Sequence, residues 1–333
     1  MMPLDVAKMC YQAAMGAEHL MSDVAAAKRY FETELDAVDP REGELYECLS
    51  DDICRVDLGA WKAMSMPAEW LFNMFVGTAT VMRGGKDVLE HYLDDAESVL
   101  NDMTLEFSAL EWRDFLEKYR AAGLPSVHHS NHYRQSERPA YRIVDREFLS
   151  CLPILNAAKL IKDRTEVKVI AIDGRAASGK TTLADKLSLI MNAEVIRMDD
   201  FFLPTSLRAT ERLEEAGGNI HYERFCEEVL PGLKQKDSFG YGVFDCGIME
   251  ISGERVINES EWRIVEGSYS HHPKFGNYAD LRVFCAVSKE EQMKRILTRN
   301  GEKLAARFEN EWIPMEEKYF NAFKIRESAD LVI

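Results

Sequence analysis

The stretch VKVIAIDGRAASGKT, residues 167–181, decides the fold of the chain around it. Its first seven residues are mainly apolar and end at Asp173, which predicts a buried β-strand. The next eight match the pattern G-x-x-x-x-G-K-T, in which a glycine-rich backbone surrounds phosphate groups. Residues 182–190 continue with apolar side chains at helical spacing. A strand, a glycine loop and a helix in this order predict a phosphate-binding loop.

Each residue type in this loop has a physical task. Glycines allow a tight turn that brings backbone N–H groups close to phosphate oxygens. Lys180 supplies a compact positive charge, and the Thr181 hydroxyl can bind Mg²⁺. The following helix directs the positive end of its dipole at the same phosphates. The predicted nucleotide-binding residues are therefore Gly174, Arg175, Ala176, Ala177, Ser178, Gly179, Lys180, Thr181 and Thr182.

The two halves of the chain show different patterns. Residues 1–160 show helical spacing of apolar residues, which predicts helices that include residues 6–21, 68–82 and 145–162. Ser22 or Asp23 is one predicted cap and Ser108 another, and no strand signal of similar strength is present. In residues 161–333 the pattern changes beyond Thr165 to strands that alternate with helices, one of them predicted over residues 222–233. This alternation predicts a parallel sheet covered on both faces. A Gly-broken, β-rich segment at residues 240–258 predicts a hairpin inserted over the sheet edge. The expected fold is a three-layer α/β P-loop NTPase domain with a parallel sheet, preceded by an all-α domain.

Composition narrows the class of function. The net charge of −16 argues against binding to nucleic acid or to an anionic membrane surface, because phosphate backbones require a basic footprint. Seven widely spaced cysteines without a C-x-x-C pattern indicate neither a disulfide framework nor a zinc site, and they favour a reducing cytoplasm. The N-terminus lacks the features of a signal peptide, and the longest uncharged stretch, residues 70–82, is too short to span a bilayer.

Acidic side chains follow two strands of the predicted sheet. Asp199-Asp200-Phe201-Phe202 comes after the second strand, and Glu266-Gly267-Ser268-Tyr269 comes after the third. Because the carboxyl ends of parallel strands meet at one edge, we expect Asp199 and Glu266 to lie beside the loop. One carboxylate could activate a hydroxyl nucleophile, and the other could hold Mg²⁺. The competing interpretation is that both are helix caps or surface turns.

These pieces, with the arginine-bearing helix at residues 290–299 and the terminal stretch 329–333, resemble the uridine kinase family of P-loop small-molecule kinases. That family also includes nicotinamide riboside kinases and phosphoribulokinases. The resemblance covers roughly the second half of the chain. It implies that Asp199 acts as the base, that Glu266 acts with Thr181 at Mg²⁺, and that Arg295 and Arg299 belong to a lid over ATP.

The resemblance also implies an acceptor site. Phe244 and Asp245 of the hairpin would flank the acceptor, and Tyr269 would lie beside it. Where the family commonly has an acid that holds ribose hydroxyls, this chain has His221, and Glu223 is the alternative.

Two further segments have alternative interpretations. Residues 125–142 contain three of the eight histidines, including His129, together with three arginines and two tyrosines. This segment is either a loop that binds an anion or the acceptor, or a polar connection between the halves. The pair His271-His272 either lines the acceptor pocket or shapes a turn. The apolar spacing at residues 312–320 favours packing over ligand binding.

The leading hypothesis is an ATP- and Mg²⁺-dependent kinase that phosphorylates a hydroxyl of a small metabolite. The alternative is a regulatory P-loop ATPase whose helical half binds a protein partner. The sequence identifies neither the acceptor nor the oligomeric state.

Overall fold

The computed structural model describes residues 1–17, 23–81, 84–100, 106–162 and 166–333. The chain divides into two compact units, Met1–Leu152 and Pro153–Ile333. The boundary lies eight residues before the predicted change at residue 160, and each unit is considered by itself below. Met21, Met82 and Thr165, where the sequence analysis placed two helix ends and the start of the strand pattern, lie outside the described residues. No helix in the described ranges is long and apolar enough to cross a membrane.

Helices make up most of the first unit. Asp23 caps the second helix by accepting a hydrogen bond from the Ala26 N–H, and Ser108 forms a capping box with Glu111 at the start of the sixth. The helix predicted over residues 68–82 ends at Ala79. The helices are α1 (Pro3–Met15), α2 (Val24–Ala37), α3 (Leu58–Ala63), α4 (Ala68–Ala79), α5 (Lys86–Leu100), α6 (Ala109–Ala121), α7 (Asn131–Ser136) and α8 (Arg146–Leu149).

The all-α prediction for the first half is wrong in one respect, because this unit also contains a three-stranded antiparallel sheet. Strands β1 (Tyr46–Cys48), β2 (Ile53–Asp57) and β3 (Tyr141–Asp145) pair in that order, with Arg55 opposite Ile143. The strands are short, and β3 joins the other two from far along the sequence. Tertiary contacts rather than local pattern therefore determine this sheet.

The single helix predicted from Asp145 to Lys162 is also two helices. After α8 the chain turns at Ser150 and Cys151, and α9 (Leu152–Ala158) follows with Pro153 in its first turn. Proline suits a first helical turn, where its missing N–H costs nothing. The apolar core of the first unit lies between α1, α5 and α6, with Trp112 and Leu116 almost fully buried.

The second unit is built on a five-stranded parallel sheet, which confirms the α/β prediction. Its strands are β4 (Lys168–Gly174), β5 (Glu194–Arg197), β8 (Trp262–Glu266), β9 (Leu281–Cys285) and β10 (Leu331–Val332). Their spatial order is β10-β9-β4-β8-β5, so the strand that leads into the phosphate loop is central. The register places Ile172 of β4 and Arg197 of β5 opposite Glu266 of β8. The ends of these strands therefore meet at one edge.

The remaining strands form the predicted hairpin, β6 (Phe239–Asp245) and β7 (Glu250–Ile257), with a bulge between Val243 and Phe244. The helix predicted over residues 222–233 is broken by a wide turn at Phe225–Val229 ahead of Pro231. The helices are α10 (Lys180–Met191), α11 (Thr210–Glu214), α12 (Tyr222–Arg224), α13 (Leu230–Leu233), α14 (Lys289–Arg307) and α15 (Ile313–Phe323). Helix α14 is kinked at Gly301, which has a left-handed φ of 75°.

Candidate active site

The phosphate loop depends on glycine at two positions. Gly174 has φ 138°, and a Cβ there would lie 2.3 Å from the Cys285 carbonyl oxygen of β9. Gly179 has φ 95°, and its missing Cβ faces open space. Any other residue at Gly174 would clash with backbone, whereas Gly179 leaves room above the start of α10. The loop therefore has the tight turn and the open concave side that its sequence predicts.

The Lys180 side chain is 7% exposed and folds back over the loop. Its ammonium group donates to the carbonyl oxygens of Gly174 and Arg175, each at 2.8 Å. The Ser178 hydroxyl in the same loop is buried and has no hydrogen-bond partner in the described ranges. A buried hydroxyl without a partner and an open glycine face are what a bound phosphate group would satisfy and fill. The residues present thus fit a nucleotide phosphate.

Thr181 and Glu266 meet as the sequence predicts. The Thr181 hydroxyl donates to Glu266 Oε1 at 3.0 Å, and Arg197 donates to Glu266 Oε2 at 3.0 Å. Burial raises the pKa of the Glu266 carboxyl, while Thr181, Lys180 and Arg197 act in the opposite direction. Arg197, the last residue of β5, also pairs with Asp185 at 2.6 Å. The carboxylate is therefore fixed next to the first turn of α10.

Asp199 lies in the turn directly after β5. It is solvent-exposed and makes no hydrogen bond to any described residue. The protein atoms around it still raise the pKa of its carboxyl by desolvation, and Lys180, Arg197 and Arg299 lower it. The charge of Asp199 also raises the pKa of the Glu266 carboxyl, so the two acids are neighbours. Of the two predicted acids, Glu266 is thus engaged by protein partners and Asp199 is not.

The two predicted lid arginines lie on α14 in different surroundings. Arg295 pairs with Glu291 at 2.8 Å and donates to the Ala177 carbonyl of the loop at 3.2 Å. Arg299 bonds only its neighbour Asn300 among the described residues, and its charge lowers the pKa of Asp199. Arg295 therefore supports the loop, whereas Arg299 faces the unengaged acid.

Two predicted acceptor residues are occupied by protein partners. Both oxygens of Glu223 accept from Arg212, at 2.8 and 2.9 Å, which lowers the pKa of its carboxyl against the effect of burial. His221 caps α12 by accepting from the Arg224 N–H at 3.3 Å, and its own N–H bonds the Phe201 carbonyl at 2.6 Å. His221 thus lies beside the Asp199 turn but shapes backbone there, and Glu223 serves an ion pair.

The hairpin end reaches the acidic turn. Phe244 is buried against Phe202, and exposed Asp245 accepts from the Gly247 N–H at 2.6 Å. Burial raises the pKa of the Cys246 thiol first, and the nearby charges of Asp199 and Asp245 raise it further. The end of the hairpin therefore lies near Asp199.

Tyr269 is a different case, because it is only 2% exposed and its ring packs on Tyr319 with centroids 4.8 Å apart. Its backbone has a left-handed φ of 77° and donates to buried Asp173. His271 and His272 are buried as well, and His272 stacks on Tyr319. These aromatic side chains pack the interior behind the site.

Glu316 on α15 is the site residue that sequence reasoning missed. It is 6% exposed, and one oxygen accepts from the Ala176 N–H of the phosphate loop at 3.0 Å. The other accepts from the Ser268 hydroxyl at 2.6 Å. Burial raises the pKa of the Glu316 carboxyl, with Lys180 as the largest opposing charge. The stripe at residues 312–320, predicted to pack, thus also brings a carboxylate to the loop.

Other contacts fix the loop from the same side. Arg175 pairs with Glu317 at 2.6 Å, and Gln292 of α14 donates to the Ala176 carbonyl at 3.1 Å. The described residues contain no cluster of three or more His, Cys, Asp or Glu side chains suited to a metal ion. Thr181, Asp199 and Glu266 would therefore need phosphate oxygens and water to complete an Mg²⁺ site, which is the usual situation for this ion.

His129 belongs to the first unit. Its Nε2 lies 2.5 Å from the Tyr141 hydroxyl, and its Nδ1 lies 3.3 Å from Asp5. Burial, aided by the charge of Arg55, lowers its pKa to about 4, so the ring is neutral near pH 7. Within its own unit His129 is part of a polar interior rather than a free surface donor.

No protein-family model and no curated protein matches this chain. Solved structures do align with it over about half its length. One from Bacillus stearothermophilus, described as a "possible uridine kinase", is 20% identical, covers 56% of this chain and 99% of its own, and has a TM-score of 0.44. A candidate fructose transport system kinase from Silicibacter sp. TM1040 is 23% identical with a TM-score of 0.43, covering 56% and 98%.

A third similar structure is D-glycerate 3-kinase from Cryptococcus neoformans. It is 16% identical, covers 51% of this chain and 84% of its own, and has a TM-score of 0.35. All three are described as kinases.

Proposed function

We propose that the second unit is an ATP- and Mg²⁺-dependent kinase that phosphorylates a hydroxyl of a small metabolite, such as a nucleoside or another ribosyl compound. The observation that carries the proposal is Asp199. It is an exposed carboxylate without a hydrogen-bond partner among the described residues, and it lies beside Lys180 and Arg299. A carboxylate left free at this edge suits an acceptor hydroxyl, because every other acid that contacts the loop already has a partner.

The loop side would bind the nucleotide. The loop N–H groups, the Ser178 hydroxyl and the Lys180 ammonium would hold phosphate oxygens, and Lys180 would exchange its two carbonyl partners for them. Thr181 and Glu266, already joined at 3.0 Å, would hold Mg²⁺ directly or through water. When bound, Mg²⁺-ATP supplies the phosphoryl group and neutralises part of its charge.

Asp199 would accept the proton of the acceptor hydroxyl. A base works best when its pKa lies closer to the working pH, and desolvation moves the pKa of Asp199 in that direction. Arg299 would stabilise the charge on the transferred group, since guanidinium binds phosphate oxygens well. Arg295 and Glu316 would keep the loop in position through Ala177 and Ala176.

The acceptor would be small. The hairpin end with Asp245 and Cys246 lies near Asp199, which leaves the acceptor between the hairpin and the loop. The net charge of −16 disfavours a nucleic-acid substrate. Because the Glu223 carboxylate is held by Arg212, a ribose would have to be recognised by other groups, and a nucleoside remains one candidate among several.

The test is a product screen with the full chain. ATP, Mg²⁺ and pools of nucleosides, nicotinamide riboside, sugars and vitamin alcohols are incubated with the protein, and phosphorylated products are sought by mass spectrometry. Lys180→Ala is the inactive control. A metabolite-dependent loss of ATP with a product heavier by one phosphate supports the kinase. ATP hydrolysis at the same rate with and without every pool contradicts it and favours a regulatory ATPase.

A further inference from the structure

Helix α1 of the first unit buries three polar side chains along one face. Asp5, Lys8 and Gln12 are spaced by three and four residues and are 1%, 5% and 2% exposed. Side chains at this spacing lie one above another on a helix. A buried face of this kind is normally apolar, because each buried polar group needs a partner to offset its lost hydration.

Two of the three have such partners. Asp5 accepts from the Ser130 N–H at 2.8 Å and from the Ser130 hydroxyl at 2.7 Å. Gln12 accepts from Arg55 at 2.6 Å and donates to the Tyr141 hydroxyl at 3.0 Å. Both side chains are therefore fixed, and their hydrogen-bonding capacity is largely used.

Lys8 has none. It makes no hydrogen bond or ion pair with any residue in the described ranges, and the charges that act on it most are the cations Arg55 and Arg134. Burial, followed by these two arginines, lowers the pKa of Lys8 to about 8. The group is still mainly charged at pH 7, which is costly for a buried cation without a counter-ion.

Neither nearby acid pairs with Lys8. Asp5 is bound by Ser130, and the exposed Glu47 pairs with Arg55 at 3.1 Å. His129 is neutral near pH 7, so it can offer a ring N–H without adding charge. Three cations and two carboxylates therefore lie at this point, which leaves an excess of one positive charge in a chain whose net charge is −16.

We propose that Lys8, Arg55 and Arg134, called here the cation cluster, form a binding site for the phosphate or carboxylate group of a small molecule. The three cations come from α1, β2 and α7. Arg55 bonds Gln12 one turn after Lys8, and Ser130, the cap of the helix that carries Arg134, bonds Asp5 one turn before Lys8. A small anion is bound by cations from several elements in this way. Lys8 and Arg55 are buried, and Arg134 is exposed to solvent. The anion supplies the counter-charge that Lys8 lacks in the protein.

A neighbouring cavity suits the rest of such a ligand. Its volume is about 340 Å³, within the range of small-molecule sites. None of the three cations lines this cavity, but Gln12 and Tyr141, which both contact Arg55, form part of its wall. Tyr30 and Phe75 provide apolar surface, and Asp23 and Arg142 provide one charge of each sign. A small organic acid or phosphate ester with an apolar or ring-shaped body matches this lining.

The test measures anion binding to the full chain by isothermal titration, with inorganic phosphate and with succinate against chloride at equal ionic strength. Lys180→Met is the background, so that the phosphate loop does not contribute. We expect binding of at least one anion, with new protection from hydrogen exchange in α1 and β3. In that background Lys8→Met should abolish binding, and Arg134→Gln should weaken it about 10-fold, since a hydrogen bond to a charged group contributes about 1.5–3 kcal/mol.

Lys118→Gln, which removes an exposed cation of the same unit, should bind as the background does. Lys8→Met should also unfold at a higher temperature in chloride, because it removes a buried unpaired charge. Binding of succinate alone assigns the site to carboxylates, and binding of phosphate assigns it to phosphate groups. The proposal is overturned if neither anion binds, or if the background protein and Arg134→Gln bind equally well. Because Arg134 is exposed, Arg134→Gln tests the proposal even if Lys8→Met does not fold.

Discussion

In the part of each unit that the structure describes, one lysine is buried, and the surroundings of the two lysines differ. Lys180 of the second unit is 7% exposed and bonds two carbonyl oxygens of its own loop at 2.8 Å. Lys8 of the first unit is 5% exposed and has no partner among the described residues. Lys180 is satisfied by residues five and six positions away in the sequence, whereas Lys8 is surrounded by groups from distant parts of the chain.

The difference shows two ways of building a charged site. The phosphate loop is encoded locally and supplies backbone partners for its own lysine without a ligand. Lys8 lies among groups from distant elements and has no such partners, so we expect a ligand to supply the missing charge. The second unit contains both kinds, since Asp199, Arg299 and Glu316 reach the loop from other elements. The predictions below test how much function each kind carries.

The largest expected effect concerns the local cradle. Lys180→Ala should reduce turnover on the order of 10³-fold or more, because it removes a cation at the transferred phosphoryl group. The unfolding temperature should change little, since the side chain bonds only the loop itself. The matched control is exposed Lys303→Ala, which should keep wild-type turnover. Near wild-type turnover in the Lys180 variant would mean that Lys180 does not act on phosphate, and the comparison of the two buried lysines would then have no functional meaning.

The second prediction concerns an assembled group. Asp199→Asn should lower kcat by about 10²–10⁴-fold, the usual contribution of a general base, while ATP binding stays nearly unchanged. In the wild type, kcat should fall as the pH drops through the raised pKa of Asp199, because the protonated acid cannot accept a proton. This acidic limb should lie above the ordinary aspartate range and disappear in the variant. A variant that keeps its rate and loses only nucleotide affinity would make Asp199 a metal ligand instead.

Sequence alone predicted the parts of the site that depend on short-range order. The strand, loop and helix at residues 167–191 are contiguous, so their spacing suffices. Asp199 and Glu266 followed from one topological fact, that parallel strands end at a common edge. The first-unit sheet did not follow, because β2 and β3 are short and far apart in sequence.

Glu316 shows where sequence reasoning stopped. It lies three and four residues before Tyr319 and Phe320, on the buried face of α15, and the apolar spacing of that face correctly predicted packing. A single carboxylate on such a face was the available signal, because a buried acid requires a partner. Which partner it finds depends on how α15 is placed against the loop, and spacing carries no information on that. The same holds for Arg212, which binds Glu223 and changes its expected role.

The third prediction separates the two lid arginines. Arg299→Ala should lower kcat by about 10- to 100-fold, since a charged hydrogen bond contributes about 1.5–3 kcal/mol and Arg299 has only Asn300 to release. Arg295→Ala should act less on kcat and more on the KM for ATP, because Arg295 already supports the loop at Ala177. Steady-state kinetics of both variants, with Lys294→Ala of the same helix as control, provide the measurement. Equal losses in KM alone would assign both arginines to nucleotide anchoring.

The smallest expected effect is that of Glu316→Gln, which should lower turnover but raise the unfolding temperature at high pH. Glu316→Gln keeps an oxygen for the Ala176 N–H and an amide for Ser268, so turnover should fall less than about 10-fold, the lower limit for loss of one charged hydrogen bond. Folding raises the pKa of Glu316 above its value in the unfolded chain. Between these two pKa values the native state binds more protons than the unfolded chain, so the native state loses stability as the pH rises through that range.

Because the glutamine stays neutral, the variant should unfold at a higher temperature than the wild type at pH 8, and the gap should shrink toward pH 5. Thermal unfolding between pH 5 and pH 8 measures this, and Glu317→Gln, which loses only the contact to Arg175, is the matched neighbour. A gap that is independent of pH would mean that Glu316 is not the titrating group. A variant that is less stable at every pH would mean that the Glu316 charge is needed to hold the loop. Glu316 would then resemble Lys180, whose charge has partners within the protein, rather than Lys8, whose charge has none among the described residues.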